Sequence, residues 1–301
     1  MTPFSPKLQS IAFVLMFIFS SMTDAQDFTS IHTLNNIQGL ASPLPDLFFT
    51  LEHDRRSDEV SIYRNTSGSR DLILKSPDIG HQGFGVLLNR DKSVAVIATT
   101  SKISNETVFF IFDKIGNIFE KKLSFFSEYP FEHNDTMPSF SRNGEYMIVR
   151  GRVDYRTMVF KVFKLKDINS IFEKRETARK DFSLKFYSKW ILPPSILTDN
   201  NGALRPLQAI SIDDNRIYIL LGNSMLRPKS IFTYTFDGSF VSKDEGVDAG
   251  SEYCNNFPRK CFYEPEGLAS FSDNKLAILF NVGLGLNKKN IVFFIKKSIK
   301  G

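Results

Sequence analysis

The sequence predicts an all-β chain, a single five-bladed β-propeller whose N-terminal strand closes the last blade. Three observations carry that prediction. A degenerate unit occurs five times: a polar or turn residue, then Gly, Ser or Ala, then a large apolar residue. Its copies are Gln38-Gly39-Leu40, Gln82-Gly83-Phe84, Pro138-Ser139-Phe140, Gln208-Ala209-Ile210 and Glu266-Gly267-Leu268. The anchors at 40, 84, 140, 210 and 268 are 44, 56, 70 and 58 residues apart, near the period of a propeller blade. Finally, the strands come out one short at the C-terminus, and a spare β-type segment stands at the other end.

Each anchor strand is followed, after a turn, by an apolar run that reads as a second strand: Leu47 to Leu51, Val94 to Ala98, Tyr146 to Val149, Ile217 to Leu221 and Leu276 to Phe280. Third strands read Glu59 to Tyr63, Val108 to Asp113, Met158 to Leu165, Ile231 to Phe236 and Ile291 to Ile295. Asp113-Lys114-Ile115-Gly116-Asn117 and Asp237-Gly238 suit tight hairpins into fourth strands. Those are Asp71 to Leu74, Ile118 to Phe125, Ser183 to Leu192 and Ser239 to Lys243. Asp167 to Asp181, with Ile168, Ile171 and Phe172 at helical spacing, predicts a short surface helix. After Ile295 only the polar Lys296 to Gly301 remain, so Phe28 to Leu34 is expected to supply the missing outer strand and leave no open edge.

The chain has 301 residues. Residues 1–25 follow a secretory plan: Lys7, the apolar run Ile11 to Phe19, and a small-residue exit at Thr23-Asp24-Ala25. That run is too short for a membrane span, and no later stretch is apolar long enough for one. A signal peptide over 1–25 and a propeller domain over 26–301 are expected, in a secreted or periplasmic location. Thirty Phe stand against one Trp, mostly in β-type runs such as Val108 to Phe112, which reads as core and inter-blade packing. The formal net charge of +5 is diffuse apart from Lys288-Lys289 and Lys296-Lys297. It is more simply a solubility feature than a nucleic-acid footprint, and nucleic acid is not an expected partner. A monomer is expected.

Two cysteines, Cys254 and Cys261, lie in one loop, and in an exported protein they most simply form a local disulfide. Sequons stand at Asn65, Asn105 and Asn134, and matter only in a eukaryotic source. The inner strands of a propeller line its channel, so Gln38, Gln82, Pro138, Gln208 and Glu266 converge there, with His81, Glu264 and Arg205 close by. Amide side chains offer the donors and acceptors that sugar hydroxyls require. They would equally satisfy buried backbone and ordered water in the channel. The small residue behind each lets neighbouring strands approach at the narrow axis.

Hydrolysis needs two carboxylates facing one site. Glu264 and Glu266, two apart, share a face on a regular strand, with Pro265 between them able to bend it. No Gly-x-Ser-x-Gly elbow, His-Glu-x-x-His or phosphate loop occurs. His32, His53, His81 and His133 are scattered, and Asp213-Asp214-Asn215 reads as a hairpin turn rather than a calcium loop. No metal or cofactor is expected. Phe257 to Tyr263, aromatic and basic, is a further candidate for recognition.

His81-Gln82-Gly83-Phe84 and Glu264-Pro265-Glu266-Gly267-Leu268 resemble the anchors of a propeller shared by helveticin-type bacteriocins, the TagC group named for teichoic acid biosynthesis, and certain phage receptor-binding proteins. The resemblance runs over nearly the whole mature chain. It implies a five-bladed fold and contact with cell-surface polysaccharide, and it carries no defined catalytic set. The function expected is binding of a cell-surface glycan or glycopolymer, to which the helveticin-type resemblance adds a bacteriocin-like character. The alternatives are a glycosidase-type enzyme using Glu264 and Glu266, and an extracellular protein-interaction module.

Overall fold

The computed structural model describes residues 28–31, 33, 35–54, 56–129, 135–154, 156–173, 184–199, 202–225, 228–248, 251–254, 261–284 and 287–297. The expected leader, residues 1–25, lies outside them. No described helix is long and apolar enough to cross a membrane.

Apolar runs of strand length separated by turn residues give five four-stranded antiparallel sheets. Blade 1 is β2 (Asn36–Leu44), β3 (Leu47–Asp54), β4 (Glu59–Asn65) and β5 (Arg70–Ser76). Blade 2 is β6 (Ile79–Leu88), β7 (Val94–Ser101), β8 (Thr107–Phe112) and β9 (Ile118–Leu123). Blade 3 is β10 (Thr136–Phe140), β11 (Tyr146–Asp154), β12 (Thr157–Lys164) and β13 (Ser188–Leu192). Blade 4 is β14 (Leu207–Ile212), β15 (Ile217–Leu221), β16 (Lys229–Tyr234) and β17 (Phe240–Val247). Blade 5 is β18 (Phe262–Ser270), β19 (Lys275–Leu284), β20 (Asn287–Lys296) and, from the other end of the chain, β1 (Phe28–Ile31).

The closure is the expected one, with Phe28 opposite Phe293 and Ile31 opposite Asn290. An otherwise open edge of β20 is thereby paired. The first strands of the five blades touch one another in ring order, and β18 returns to β2.

The core is a set of apolar layers between adjacent blades. Ile62, Phe84 and Phe110 pack between blades 1 and 2, and Phe109, Met147 and Phe163 between blades 2 and 3. Phe160, Leu207 and Phe232 lie between blades 3 and 4, and Tyr218, Tyr263 and Phe280 between blades 4 and 5. Ile37, Leu40, Leu279 and Val292 lie between blades 5 and 1. The Phe-rich composition is spent on this packing.

The punctuation behaves as its chemistry dictates. Asp113 accepts from the backbone N–H of Ile115 and Asn117, and Gly116 takes φ 89°. Gly238 takes φ 87° in its hairpin, and a Cβ there would lie 2.5 Å from the ring of Trp190. Trp190 stacks in turn on Phe160 at 4.4 Å. Asp213 closes its turn by accepting from Asn215 and Arg216 N–H. The surface helix α1 is Leu165–Glu173, starting two residues before the expected span. Residues 174–183 lie outside the described residues, and β13 begins at Ser188 rather than Ser183.

Candidate functional site at one end of the channel

The five-fold polar residue has a structural meaning that periodicity alone does not convey. Between Ile37 and Gly39 the pairing of β2 with β3 slips by one, leaving Gln38 as the extra residue of a β-bulge. The same slip leaves Gln208 between Leu207 and Ala209, and Glu266 between Pro265 and Gly267. In β6 the irregular stretch between Ile79 and Phe84 contains Gln82. A bulge bends its strand and re-aims a side chain, and in each of these strands the irregular position carries the polar residue of the repeat. Blade 3 departs from the pattern: Pro138 pairs in regular register with Val149.

The small residue next to each polar one permits the crowding at the axis. A Cβ on Gly267 would lie 2.7 Å from Leu40 Cβ, and one on Gly39 2.8 Å from the Phe84 ring. Gly83 holds φ 73° against Met137.

These strands bring Gln82, Gln208 and Glu264 together from blades 2, 4 and 5. Gln82 Nε2 donates to Gln208 Oε1 at 3.3 Å. Gln208 Nε2 donates to Gly222 O at 3.1 Å and to Glu264 Oε1 at 3.2 Å. Gln38 Oε1 is buried and has no hydrogen-bond partner among the described residues.

Glu266 is buried and accepts from Asn281 Nδ2 at 3.2 Å, an amide that also donates to Ile37 O. The shared face expected for Glu264 and Glu266 is interrupted by the bulge at Glu266, and the two carboxylates take partners on different elements. His81 belongs to β6, but its side chain lies outside what is described.

Next to Gln82 and Gln208, between blades 3 and 4, opens a cleft of about 170 Å³. Its charged lining is Arg150, Arg152, Arg205 and Asp135. Arg150 is 1% exposed; its Nη2 meets Asp135 Oδ1 at 2.8 Å and its Nη1 donates to Asp135 O at 3.0 Å. Arg152 Nε stands 3.0 Å from Asp135 Oδ2. Arg205 donates to Thr198 O, Ser230 Oγ and Glu245.

Arg205 was marked in the sequence by its nearness to an anchor. Arg150, Arg152 and Asp135 were not, although an Arg-Gly-Arg run entering an otherwise apolar second strand was a readable signal.

At the far end of the inner strands the channel narrows to about 20 Å³ among Ser42, Ser139, Ser211 and Ser270, room for about one water. There Arg142 of blade 3 reaches Asp273 of blade 5 at 3.0 Å. The two ends of the channel are thus unlike.

Elsewhere, Cys254 and Cys261 form the expected disulfide, with Cα atoms 5.4 Å apart. It joins a short 3₁₀ turn, Ser251–Cys254, to the start of β18. Of the segment Phe257 to Tyr263 offered above for recognition, residues 257–260 lie outside the described residues, as does Asn134. Asn65 is partly buried, its amide donating to Thr50 Oγ1 and Tyr63 O, and Asn105 is partly buried between β7 and β8. Among the described residues no group of three or more His, Cys, Asp or Glu is placed to hold a metal ion.

No protein-family model and no curated protein sequence matches the chain. Among solved structures it is similar to the tail fiber of Staphylococcus aureus phage P68, at 15% identity and a TM-score of 0.53 over 91% of this chain. That match spans 54% of the tail fiber, so this chain corresponds to about half of it. A protein from Lactobacillus plantarum aligns at 10% identity with a TM-score of 0.41, covering 86% of this chain and 88% of that one. Hydrazine synthase of Kuenenia stuttgartiensis aligns at 11% and 0.39, covering 90% of this chain and 66% of that one. At such identities what the tail fiber shares with this chain is the propeller fold.

Proposed function

We propose that the chain is an exported recognition module that holds a cell-surface glycan or glycopolymer at the channel mouth, through Gln38, Gln82, Gln208 and Glu266 with His81 beside them. Cleavage after Ala25 belongs to this reading. The observation that supports it is the recurrence of the irregular register in blades 1, 2, 4 and 5 at Gln38, Gln82, Gln208 and Glu266, with Gln82, Gln208 and Glu264 joined by hydrogen bonds across three blades. Carboxamides both donate and accept, as hydroxyl-rich ligands require. The resemblance of the anchors to helveticin-type, TagC-type and phage receptor-binding propellers points the same way, and the fold is one that a phage tail fiber also uses. Binding is preferred to hydrolysis because Glu264 and Glu266 are engaged separately, by Gln208 and by Asn281, whereas glycosidase chemistry needs two carboxylates across one bond.

A glycan array with parallel turnover assays tests this. Gln82→Ala and Gln208→Ala are each expected to weaken binding by about 1 to 3 kcal/mol with the fold intact. Glu266→Gln retains most of the affinity in a binder and abolishes turnover in a hydrolase. Surface-polymer binding by all three variants equal to that of the parent sinks the proposal and leaves the channel polar groups a structural role.

A further inference from the structure

We infer that the cleft between blades 3 and 4 is an oxyanion site, taking a phosphate- or carboxylate-type group. It rests on the recognition reading only for what carries the anion. The first ground is charge: the lining sets three guanidinium groups, Arg150, Arg152 and Arg205, against the carboxylate of Asp135. Glu245 approaches Arg205 from outside the cleft and is shared with Lys243. Glu264 does not line the cleft, and accepts from the Nε2 end of the Gln208 amide. A low-dielectric pocket with surplus positive charge is stabilised by an anion.

The second ground is unspent hydrogen bonding. Arg150 is 1% exposed, and its Nε is buried without a hydrogen-bond partner among the described residues, as is that of Arg205. Arg152 Nε stands 3.0 Å from Asp135 Oδ2, yet it too is buried without a hydrogen-bond partner among the described residues. Guanidinium is the planar, permanently charged donor suited to paired oxygens. The third ground is position. Gln82 and Gln208 line the same cleft, so a ligand with hydroxyls on the channel amides would bring an attached anionic group within reach of Arg152.

Arg142, at the far end of the inner strands, is the internal control, because it is held by Asp273 and lines no part of this cleft. The test is calorimetric titration of the mature chain with inorganic phosphate, glucuronate and neutral glucose at constant ionic strength. Saturable binding of at least one anion and none of glucose is expected. Arg152→Gln and Arg205→Gln should each weaken it at least tenfold, Arg152→Lys less, and Arg142→Gln less than twofold. Arg152 is partly exposed, so its pair of variants decides the matter even where Arg205→Gln fails to fold.

Absence of saturable anion binding by the parent, or anion binding indifferent to Arg152→Gln, overturns the inference. Polymer binding that survives while no anion titrates removes this inference alone. An intact anion titration with no surface polymer bound removes the recognition reading alone.

Discussion

On the side facing blade 4, blade 5 packs a broad apolar layer in which Tyr263 stacks on Phe280 at 4.8 Å and the Cys254–Cys261 disulfide is buried. Lys297 adds a buried tie across that seam, to Asp213 at 2.9 Å and to Ser270. On the side facing blade 1 the apolar layer is, among the described residues, narrower: Ile37, Leu40, Ala269, Ala277, Leu279 and Val292, edged by Phe48 stacked on Phe271. Amides do the rest there. Asn281 donates to Ile37 O, while Asn290 accepts from Ile37 N–H and donates to Asn35 O. The seam within continuous chain relies on area, whereas the seam that closes the ring relies on hydrogen bonds that specify register. That division is physically sensible, because apolar contact is non-directional and the chain ends must find one pairing among several.

The largest effect should come from breaking the closing seam. A chain beginning at Asn35 lacks β1, exposes the edge of β20 and loses the bond from Thr33 Oγ1 to the buried Glu52. Uncovering apolar surface beside Val292 and Phe293, with the ladder bonds, should lower stability by about 3 to 5 kcal/mol. Urea unfolding of the shortened and mature chains measures it. Equal midpoints would mean that the ring does not depend on its terminal strand.

The seam toward blade 4 is probed by pH. Lys229 is 1% exposed, its Nζ donating to Asn223 O and Met225 O and lying 4.6 Å from the Tyr263 ring centroid. Burial pulls its ammonium down to about 8, against the opposing pull of Glu264 and Asp248. The unfolded chain holds that proton to about 10.4, so between the two values the unfolded state binds more protons. Stability therefore rises with pH across that window, by at most about 3 kcal/mol at 1.36 kcal/mol per unit.

Tyr218 and Tyr234 act in the opposite sense above about pH 10, since burial raises both phenols and the unfolded chain deprotonates first. Denaturant midpoints from pH 7 to 10 should climb for the parent and stay flatter for Lys229→Met. Parallel profiles would remove the buried ammonium from the account of this seam.

Most of the architecture could be read from residues. Ile217–Leu221 is a strand over the expected span, and Phe28–Ile31 takes the expected outer place because strand counting left one apolar segment and one open edge. The bulges could not be read: an extra residue in one strand of a pair is a property of the pairing, and Gln38 or Gln208 looks like any polar residue before an apolar run. The cleft was hidden for a different reason. Arg150 and Arg152 belong to the second strand of blade 3, Arg205 precedes the first strand of blade 4, and only the seam brings them together.

The smallest effect contrasts two channel amides, one on each side of blade 5. Gln208 is satisfied at both ends, accepting from Gln82 and donating to Gly222 O and Glu264. Replacing it with Leu strands those groups, and a loss of about 1 to 2 kcal/mol is expected. Gln38, toward the closing seam, keeps a buried carbonyl oxygen without a partner among the described residues. An orphaned acceptor carries a desolvation penalty that an apolar side chain of similar shape lacks, so Gln38→Leu should be neutral or stabilise by up to about 1 kcal/mol. If Gln38 also contacts the ligand, the same variant loses affinity while gaining stability, a combination that a purely structural amide does not produce. Paired urea unfolding and glycan binding on Gln38→Leu and Gln208→Leu separate the cases. A Gln38→Leu protein less stable than the parent by more than Gln208→Leu would show that its oxygen is satisfied in solution and that the two sides of blade 5 are more alike than the contacts above make them.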